Sequence, residues 1–178
     1  MILHLGTIAT PLGDMLLVTD ESAHIHAFEF ADRRARLHRL LRARYGTYDL
    51  IDAPLPPEHA AAIDRYFAGD RHALDALVTD TAGSDLERRV WAALLEIPPG
   101  RTTTYGELAR ALGFTDPRAA IDIGAAVGAN PVEVIVPCHR VIGRNGDLKG
   151  YAGGPQRKRW LLEHEGALAP ANDLFAAR

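Results

Sequence analysis

Apolar and polar residues alternate along the first thirty positions of the chain, which is the pattern of half-buried β-strands. Residues 16–19 form a short apolar run, residues 20–23 supply polar turn residues, and residues 24–30 place apolar side chains at every second position. This alternation predicts a β-hairpin or meander at the start of a small α+β domain.

Helical periodicity replaces the alternation after residue 31. Three leucines share one face of a predicted helix over residues 33–45, which Asp32 would cap. Three prolines within residues 54–57 interrupt the chain before a second predicted helix over residues 58–68. Gly69 would end that helix.

A linker over residues 78–83 leads into a second half with more helical patterns. Ser84 and Glu87 have the spacing of a capping box, which predicts the start of a helix. Five apolar residues would form the buried face of this helix, namely Val90, Trp91, Leu94, Leu95 and Ile97.

Two shorter helices follow, with a tight turn between them. One is predicted over residues 104–113, and the other runs over residues 118–128 with Pro117 at its first position. This arrangement is compatible with a DNA-binding helix-turn-helix, and an ordinary helical hairpin has the same pattern.

The rest of the chain combines strand-like and helical segments. A strand-like run follows Pro131 and reaches Cys138, and a turn is predicted around Asn145 and Gly146. A last helix is predicted over residues 156–164, with its tryptophan and two leucines facing inward.

The composition is typical of a globular protein, with 47% hydrophobic and 24% charged residues. No signal peptide or membrane-spanning run is predicted, and the single cysteine indicates a reducing cytoplasm. A net charge of −3 argues against a general nucleic-acid binder. Residues 1–82 carry −4 and residues 83–178 carry +1, so the second half is better suited to meet an anion.

The one cysteine, Cys138, carries the candidate chemistry of the chain. A lone cysteine forms neither an intramolecular disulfide nor a sulfur-rich zinc site, so it is either a buried packing residue or a nucleophile. Its neighbour His139 is the side chain best suited to accept a thiol proton near neutral pH. Adjacent residues of a strand point to opposite faces, so a bridging water is expected between the two.

Several motifs in this order resemble the O6-alkylguanine-DNA alkyltransferases, most of all the bacterial Ogt type. They are Arg-Val-Trp at 89–91, Thr-Thr-Tyr-Gly-Glu-Leu-Ala at 103–109, Asn-Pro at 130–131, Ile-Val-Pro-Cys-His-Arg-Val at 135–141, Gly-Tyr-Ala-Gly-Gly at 150–154 and Leu-Leu-Glu-His-Glu-Gly at 161–166. The resemblance implies an α+β fold with a ribonuclease-H-like α/β domain at residues 1–82. A mostly helical, winged helix-turn-helix-like domain at residues 83–168 and a tail at residues 169–178 would follow.

The resemblance also implies a DNA repair protein. It would irreversibly transfer an alkyl group from O6-alkylguanine, or O4-alkylthymine, in DNA to Cys138, and each molecule would react once. Displacement at the alkyl carbon needs a thiolate and a proton donor for the leaving guanine. Because O6 is not open to in-line attack within a stacked duplex, the base must be extruded.

Individual roles follow from the same resemblance. Glu165 would orient His139 in a proton relay to Cys138, Tyr105 would contact a phosphate and protonate guanine N3, and Asn130 would stabilise the turn before the active-site segment. The implied substrate pocket consists of Tyr151, Ala152, Gly153, Val141 and Trp91. The implied DNA-binding residues are Arg118, Ile121, Arg140 and Thr104.

One position departs from the family pattern. The recognition helix of the family carries an arginine after two alanines, and that arginine enters the base stack; this chain has Ile121 there, followed by Asp122. Isoleucine can wedge between bases but cannot hydrogen-bond the orphaned cytosine. Arg118 lies close enough in sequence to assume the role of the arginine.

The expected partner is double-stranded DNA that carries O6-alkylguanine. A cytoplasmic monomer is expected, without cofactor, metal, membrane or protein partner. An alternative function is a damage sensor that binds alkylated DNA without efficient repair, although family-like sensors lack the cysteine that this chain keeps. A redox or hydrolytic cysteine enzyme would need a resolving cysteine or an oxyanion loop, and neither is found in the sequence.

Overall fold

The N-terminal half is built around a mixed four-stranded sheet in the computed structural model, which describes residues 1–170. Its strands are β1 (Ile2–Ile8), β2 (Met15–Thr19), β3 (Ile25–Phe30) and β4 (Asp49–Asp52). They lie in the order β3, β2, β1, β4, with β2 antiparallel to both neighbours and β4 parallel to β1. The predicted hairpin is therefore formed by β2 and β3. Most of the predicted tail, residues 169–178, lies outside the described residues.

Both faces of the sheet are buried along β2 and β3, which the alternating pattern did not predict. Every residue of β2 and of β3 is buried. One face packs against the leucines of helix α1 (Arg34–Tyr45). The other face, with Phe28 and Phe30, belongs to a core shared with the C-terminal half. A polar position of the pattern, such as Glu29, is therefore buried rather than exposed.

The predicted N-cap of α1 is wrong. A 3-10 helix, Ala31–Arg33, precedes α1, and no side chain caps the α-helix. Asp32 instead accepts hydrogen bonds of 3.0 and 3.1 Å from the two terminal nitrogens of Arg157. A bidentate charged partner from the other half of the chain has thus replaced the local cap.

Five further α-helices follow within residues 1–170. They are α2 (Pro57–Phe67), α3 (Asp85–Leu95), α4 (Tyr105–Ala111), α5 (Ala119–Gly128) and α6 (Pro155–His164). The predicted capping box of Ser84 and Glu87 is present at the start of α3. Leu95 does not belong to the buried face of α3, because it lies at the end of the helix and is 53% exposed. The sheet half and the helical half confirm the predicted α+β class.

Helices α4 and α5 pack against each other, as predicted for the helix-turn-helix. The turn between them contains Gly113 at φ +88°, a left-handed conformation that favours glycine. Pro117 lies in this turn rather than at the first position of α5, because Arg118 is the N-cap residue. Two short parallel strands, β5 (Thr103–Thr104) and β6 (Val141–Ile142), join the start of α4 to the segment after Cys138.

The predicted strand before Cys138 is wrong. Residues 131–137 form a bent segment, which two backbone hydrogen bonds of 2.9 and 2.8 Å to Phe28 attach to the edge of the sheet. Val134 adopts φ +68°, which is rare for a β-branched residue. A 3-10 helix, Cys138–Arg140, follows directly. A bent segment that is buried on all sides needs the same apolar residues as a central strand, so the two structures have similar sequence patterns.

The predicted turn around Asn145 and Gly146 is present, closed by a 2.7 Å hydrogen bond from Gly143 N to Asp147 O. It does not join a β-hairpin, because β6 pairs with β5 and no strand follows the turn up to residue 170. Within residues 1–170, no helix combines the length and the apolar character needed to cross a bilayer.

Candidate active site

Cys138 begins the 3-10 helix, and its side chain is buried. Its Sγ accepts a hydrogen bond from Asn130 Nδ2 at 3.1 Å, and its thiol donates to Glu133 Oε2 at 3.5 Å. One neighbour therefore stabilises negative charge on sulfur, while the other holds the thiol proton. The sulfur therefore has a hydrogen-bond donor, the Asn130 amide, on one side and a hydrogen-bond acceptor, the Glu133 carboxyl group, on the other.

Asn130 organises the bend that leads to the cysteine. Its Nδ2 also donates to the carbonyl of Val136 at 2.9 Å, and its Oδ1 accepts from the backbone N–H of Val132 at 3.0 Å. The side chain is fully buried, so these bonds satisfy polar groups that water cannot reach. Asn130 thereby links the end of α5, the bent segment and the sulfur of Cys138.

His139 and Arg140, the two residues that follow the cysteine in sequence, form a buried hydrogen-bonded network with Glu165. Glu165 Oε1 lies 2.9 Å from His139 Nε2 and accepts a 2.7 Å hydrogen bond from the hydroxyl of Tyr66. Arg140 donates to both carboxylate oxygens at 2.9 Å and, through its remaining terminal nitrogen, to the carbonyl of Ile97. Arg140 is thus bound to Glu165 and buried, and its expected contact with DNA stays a prediction.

This network determines which groups are charged. Burial alone would raise the pKa of Glu165, but His139 and the Arg140 guanidinium outweigh it and hold the pKa well below its usual range. Burial lowers the pKa of His139 despite the attraction of the carboxylate. At neutral pH the pair is therefore an ionised Glu165 and a neutral imidazole. A neutral imidazole that donates from Nε2 to the carboxylate keeps Nδ1 as a proton acceptor.

The resting thiol of Cys138 is protonated. Burial raises its pKa well above the usual value, and the charge of Glu133 raises it further, while the hydrogen bond from Asn130 acts in the opposite direction. The surroundings thus oppose a free thiolate rather than favour one. Any reaction of this sulfur needs a proton acceptor in the same step.

Three charged residues near the cysteine were missed by the sequence analysis. Glu133 is fully buried, and Arg36 of α1 bridges it to Glu29 of β3, at 3.4 Å from Nη1 to Glu133 Oε1. Arg36 also donates from Nη2 to the carbonyls of Gly128 and Asn130, at 2.7 and 3.0 Å. The only sequence signal for the cluster of Glu29, Arg36 and Glu133 is the position of Glu133, a single acid within the apolar run that precedes the cysteine.

A small cavity of about 10 Å³ reaches Cys138. It is lined by Tyr105, Val127, Gly128, Glu133, Cys138, Gly150, Tyr151, Ala152 and Lys158. The volume is about that of one water probe, so a nucleobase can enter only after the lining segments move apart. The two tyrosines and the Lys158 ammonium give the cavity aromatic and cationic walls.

Only two of the five predicted pocket residues, Tyr151 and Ala152, line this cavity. Trp91 lies outside this lining, because its ring is buried between helices and its Nε1 donates to Ala126 O at 2.9 Å. The side chain of Val141 is buried and also lies outside the lining, and its carbonyl accepts a hydrogen bond from Lys158. Gly153 also lies outside the lining, at a position where a side chain would collide with the rings of Phe30 and Tyr151.

Of the predicted DNA-binding residues on the helix pair, Ile121 and Arg118 lie at the surface, and Thr104 caps the first turn of α4. Ile121 is 74% exposed on α5. Arg118 is exposed at the start of α5, where it pairs with Asp116 at 2.9 Å. Thr104 is the N-cap of α4, and its hydroxyl is held by the capping box with Glu107.

Tyr105 connects the helix pair to the cavity. Its ring packs near Gly124 of α5, and its hydroxyl lies close to Gly150. Burial raises the pKa of Tyr105, with a further contribution from Cys138, so the hydroxyl keeps its proton at neutral pH. It is therefore available as a hydrogen-bond donor inside the cavity. Among residues 1–170, no three His, Cys, Asp or Glu side chains converge to hold a metal ion.

Two family models match the chain, and together they cover nearly all of it. The ribonuclease-like domain of 6-O-methylguanine DNA methyltransferase matches residues 3–81, and the DNA binding domain of the same family matches residues 85–167. The first match agrees with the ribonuclease-H-like topology that the sequence resemblance implies for the N-terminal half.

Individual proteins of known name are similar over the same length. A methylated-DNA--protein-cysteine methyltransferase from Salmonella typhimurium is 48% identical over 163 residues, which is 90% of this chain and 94% of that protein. One from Mycobacterium bovis is 40% identical over 173 residues, 96% of either chain. The solved structure of Mycobacterium tuberculosis OGT in complex with DNA matches with a TM-score of 0.75 at 37% identity, covering 95% of this chain and 96% of that one.

Proposed function

Because the chain belongs to the 6-O-methylguanine DNA methyltransferase family, we propose that Cys138 is the residue to which it transfers an alkyl group. It is a DNA repair protein that moves the group from DNA to its own cysteine. The observation that carries the proposal is that Cys138 is the only cysteine of the chain and lines the cavity together with Tyr105 and Tyr151.

The proposed substrate is O6-alkylguanine, or O4-alkylthymine, in double-stranded DNA. The thiolate of Cys138 attacks the alkyl carbon, a C–S bond forms and the C–O6 bond breaks. The electron pair of the broken bond stays on the guanine, which takes a proton at N3 from the hydroxyl of Tyr105. Tyr105 recovers a proton from water. The product is a thioether, and the thiolate that would have to leave from its alkyl carbon is a poor leaving group, so each molecule reacts once.

The His139 and Glu165 pair is proposed to remove the thiol proton through a bridging water. Within the described part of the chain, His139 Nδ1 has no hydrogen-bond partner, while Nε2 is bound to Glu165. This arrangement fits an imidazole whose free nitrogen accepts a proton and whose new positive charge Glu165 stabilises. Arg140 and Tyr66 hold the carboxylate and thus act as positioning residues.

The surface of α5 is proposed to contact the duplex. Ile121 is the exposed apolar side chain that enters the base stack, and Arg118 and Thr104 bind phosphates beside it. The protein is proposed to act as a cytoplasmic monomer, because one chain carries the whole site and the cysteine must stay reduced to react.

Intact-mass spectrometry tests the proposal. The protein is incubated with duplex DNA that carries O6-methylguanine, and peptide mapping follows. One methyl group per chain, on Cys138, is expected. Tight binding to the lesion without any mass change would instead support the alternative function, a damage sensor without efficient repair.

A further inference from the structure

Within residues 1–170, Glu133 is the one acid in direct contact with the reacting sulfur, and neither the His139 relay nor the proton transfer from Tyr105 uses it. It is fully buried, and its Oε2 lies 3.5 Å from Cys138 Sγ. Its backbone N–H donates to Phe28 O at 2.8 Å, which fixes the position of the residue against the sheet. Burying an ionised carboxyl group lowers the stability of the fold unless the charge is paired.

We propose that Glu133 is a second catalytic residue, the direct acceptor of the Cys138 proton, which works beside the water-mediated route to His139. The proposal rests on Cys138 being the alkyl acceptor. It is carried by the hydrogen bond from the thiol to Oε2 and by the carboxyl cluster behind it. No bridging water is needed, because donor and acceptor already touch.

The cluster behind Glu133 holds two carboxylates and one guanidinium. Glu29 makes the closer ion pair with Arg36 and also accepts from Phe30 N at 3.0 Å, whereas Glu133 Oε1 lies 3.4 Å from Arg36 Nη1. One cation cannot balance two buried anions, so the proton affinity of the less well paired carboxylate rises. Glu133 is therefore the member of the cluster that exchanges a proton.

The pKa values of Glu133 and of the titratable groups around it are consistent with Glu133 as the proton acceptor. Burial and the negative charge of Glu29 raise the pKa of Glu133 to about 7, against the pull of Arg36. Tyr151 and Lys158 also line the cavity; burial raises the pKa of the tyrosine and lowers that of the lysine. Because burial lowers the pKa of His139, Glu133 is the stronger of the two bases.

In the proposed step, transfer of the proton and transfer of the alkyl group occur together. The S–H proton of Cys138 moves to Oε2 of Glu133, and the sulfur forms its bond to the alkyl carbon while the C–O6 bond breaks. The charge that the sulfur would otherwise carry never develops fully, because base and alkyl carbon act together. Glu133 ends as a neutral acid beside a neutral thioether, which is the favourable pairing in a buried site.

Two other roles for Glu133 make opposite predictions. If Glu133 only anchors Arg36, replacing it with glutamine leaves the rate unchanged in a folded protein. If its charge only opposes the thiolate, the same substitution lowers the pKa of Cys138 and speeds the reaction. A slower reaction is expected only when Glu133 takes the proton, so the sign of the rate change decides the matter.

The experiment measures single-turnover methyl transfer from O6-methylguanine duplex DNA between about pH 6 and 8. The wild-type rate is expected to rise with an apparent pKa near 7, as Glu133 ionises. Glu133→Gln should lose this rise and react about tenfold or more slowly at the upper end, with DNA affinity unchanged. The control Glu29→Gln keeps the contact with sulfur, so it should keep the rise and shift it to lower pH.

A rate for Glu133→Gln that equals or exceeds that of wild type would overturn the proposal. If Glu133→Gln does not fold, the wild type alone decides, because a rate that is flat between about pH 6 and 8 also contradicts a base with this pKa. A wild-type protein that never becomes methylated on Cys138 would reject the proposed function instead. The two failures are therefore distinguishable.

Discussion

Glu165 Oε1 lies 2.9 Å from His139 Nε2, and both side chains are fully buried. The carboxylate is ionised because Arg140 binds both of its oxygens, so it fixes the imidazole in the tautomer that leaves Nδ1 as acceptor. The relationship sets the protonation state of the proposed relay without any contact between Glu165 and the sulfur.

Cys138→Ser is expected to abolish methyl transfer while leaving the fold intact, because a buried serine hydroxyl is a far weaker nucleophile than a thiol. Intact-mass measurement after incubation with O6-methylguanine DNA checks the transfer, and thermal unfolding checks the fold. Methyl transfer to the serine variant, or many turnovers per wild-type chain, would contradict the assignment.

In the Glu133→Gln background, where only the relay accepts the thiol proton, Glu165→Gln is expected to slow the remaining methyl transfer by about 100-fold. In the otherwise unchanged protein it should lower the free energy of unfolding by about 3–5 kcal/mol. The slower rate follows from the loss of the charge that stabilises a protonated His139. The lower stability follows because Arg140 remains buried without a counter-ion. Single-turnover rates and urea unfolding measure the two effects.

Tyr66→Phe is the matched control for Glu165→Gln. It removes the 2.7 Å hydrogen bond to the same carboxylate oxygen but keeps the charge and the His139 contact. Its stability should fall by about 1.5–3 kcal/mol with little change in rate. An equal loss of rate in both variants would show that packing around Glu165, rather than its charge, governs the reaction.

Ile121→Arg is expected to increase the repair rate on duplex DNA about tenfold, because an arginine can hydrogen-bond the orphaned base and hold the gap open. Ile121→Leu, which stays apolar, should behave like the wild type. Reaction with O6-benzylguanine as a free base should be the same in all three proteins, because Ile121 lies outside the cavity. Equal rates on duplex DNA would show that Ile121 or Arg118 already does what the arginine would do.

Glu133→Gln is expected to stabilise the protein more at about pH 8 than at about pH 5. The folded state raises the pKa of Glu133 from 4.5 to about 7, so it favours the neutral acid. The resulting stabilisation is complete below the unfolded pKa and is lost as the pH rises through the folded pKa, about 3 kcal/mol in total.

Urea unfolding of both proteins at the two pH values checks this expectation. Glu165 does not interfere, because its pKa in the folded protein lies well below this range. The difference in unfolding free energy between variant and wild type should grow with pH. A difference that is independent of pH would show that Glu133 keeps an ordinary pKa.

Local chemistry made much of this protein predictable from its sequence. The capping box of Ser84 and Glu87 and the left-handed turn at Gly113 depend on residues within a few positions, so their structures follow from the local order of side chains. The same is true of the reactive element, because Cys138 and His139 are adjacent and no other cysteine competes with them.

Packing decided the partners of the charged groups. Asp32 has the sequence signature of a helix cap, yet it pairs with Arg157, which is 125 positions away. The family resemblance implies a DNA contact for Arg140, and the fold buries this side chain against Glu165. Ion pairs depend on distance and on exclusion of water, and neither quantity is set by the residues next to them in the chain.

At the active site, the surroundings of Glu133 were likewise decided by packing and not by its neighbours in the sequence. Its position in an apolar run predicted only a strand, whose alternation would place it five residues from Cys138 on the opposite face. The bend at Val134 and the attachment to Phe28 instead bring its carboxylate to the sulfur, and the fold brings Arg36 and Glu29 behind it. The sequence alone determined which nucleophile the protein carries. Only the tertiary structure decided which bases surround that nucleophile, because their protonation depends on burial and on charges from distant segments.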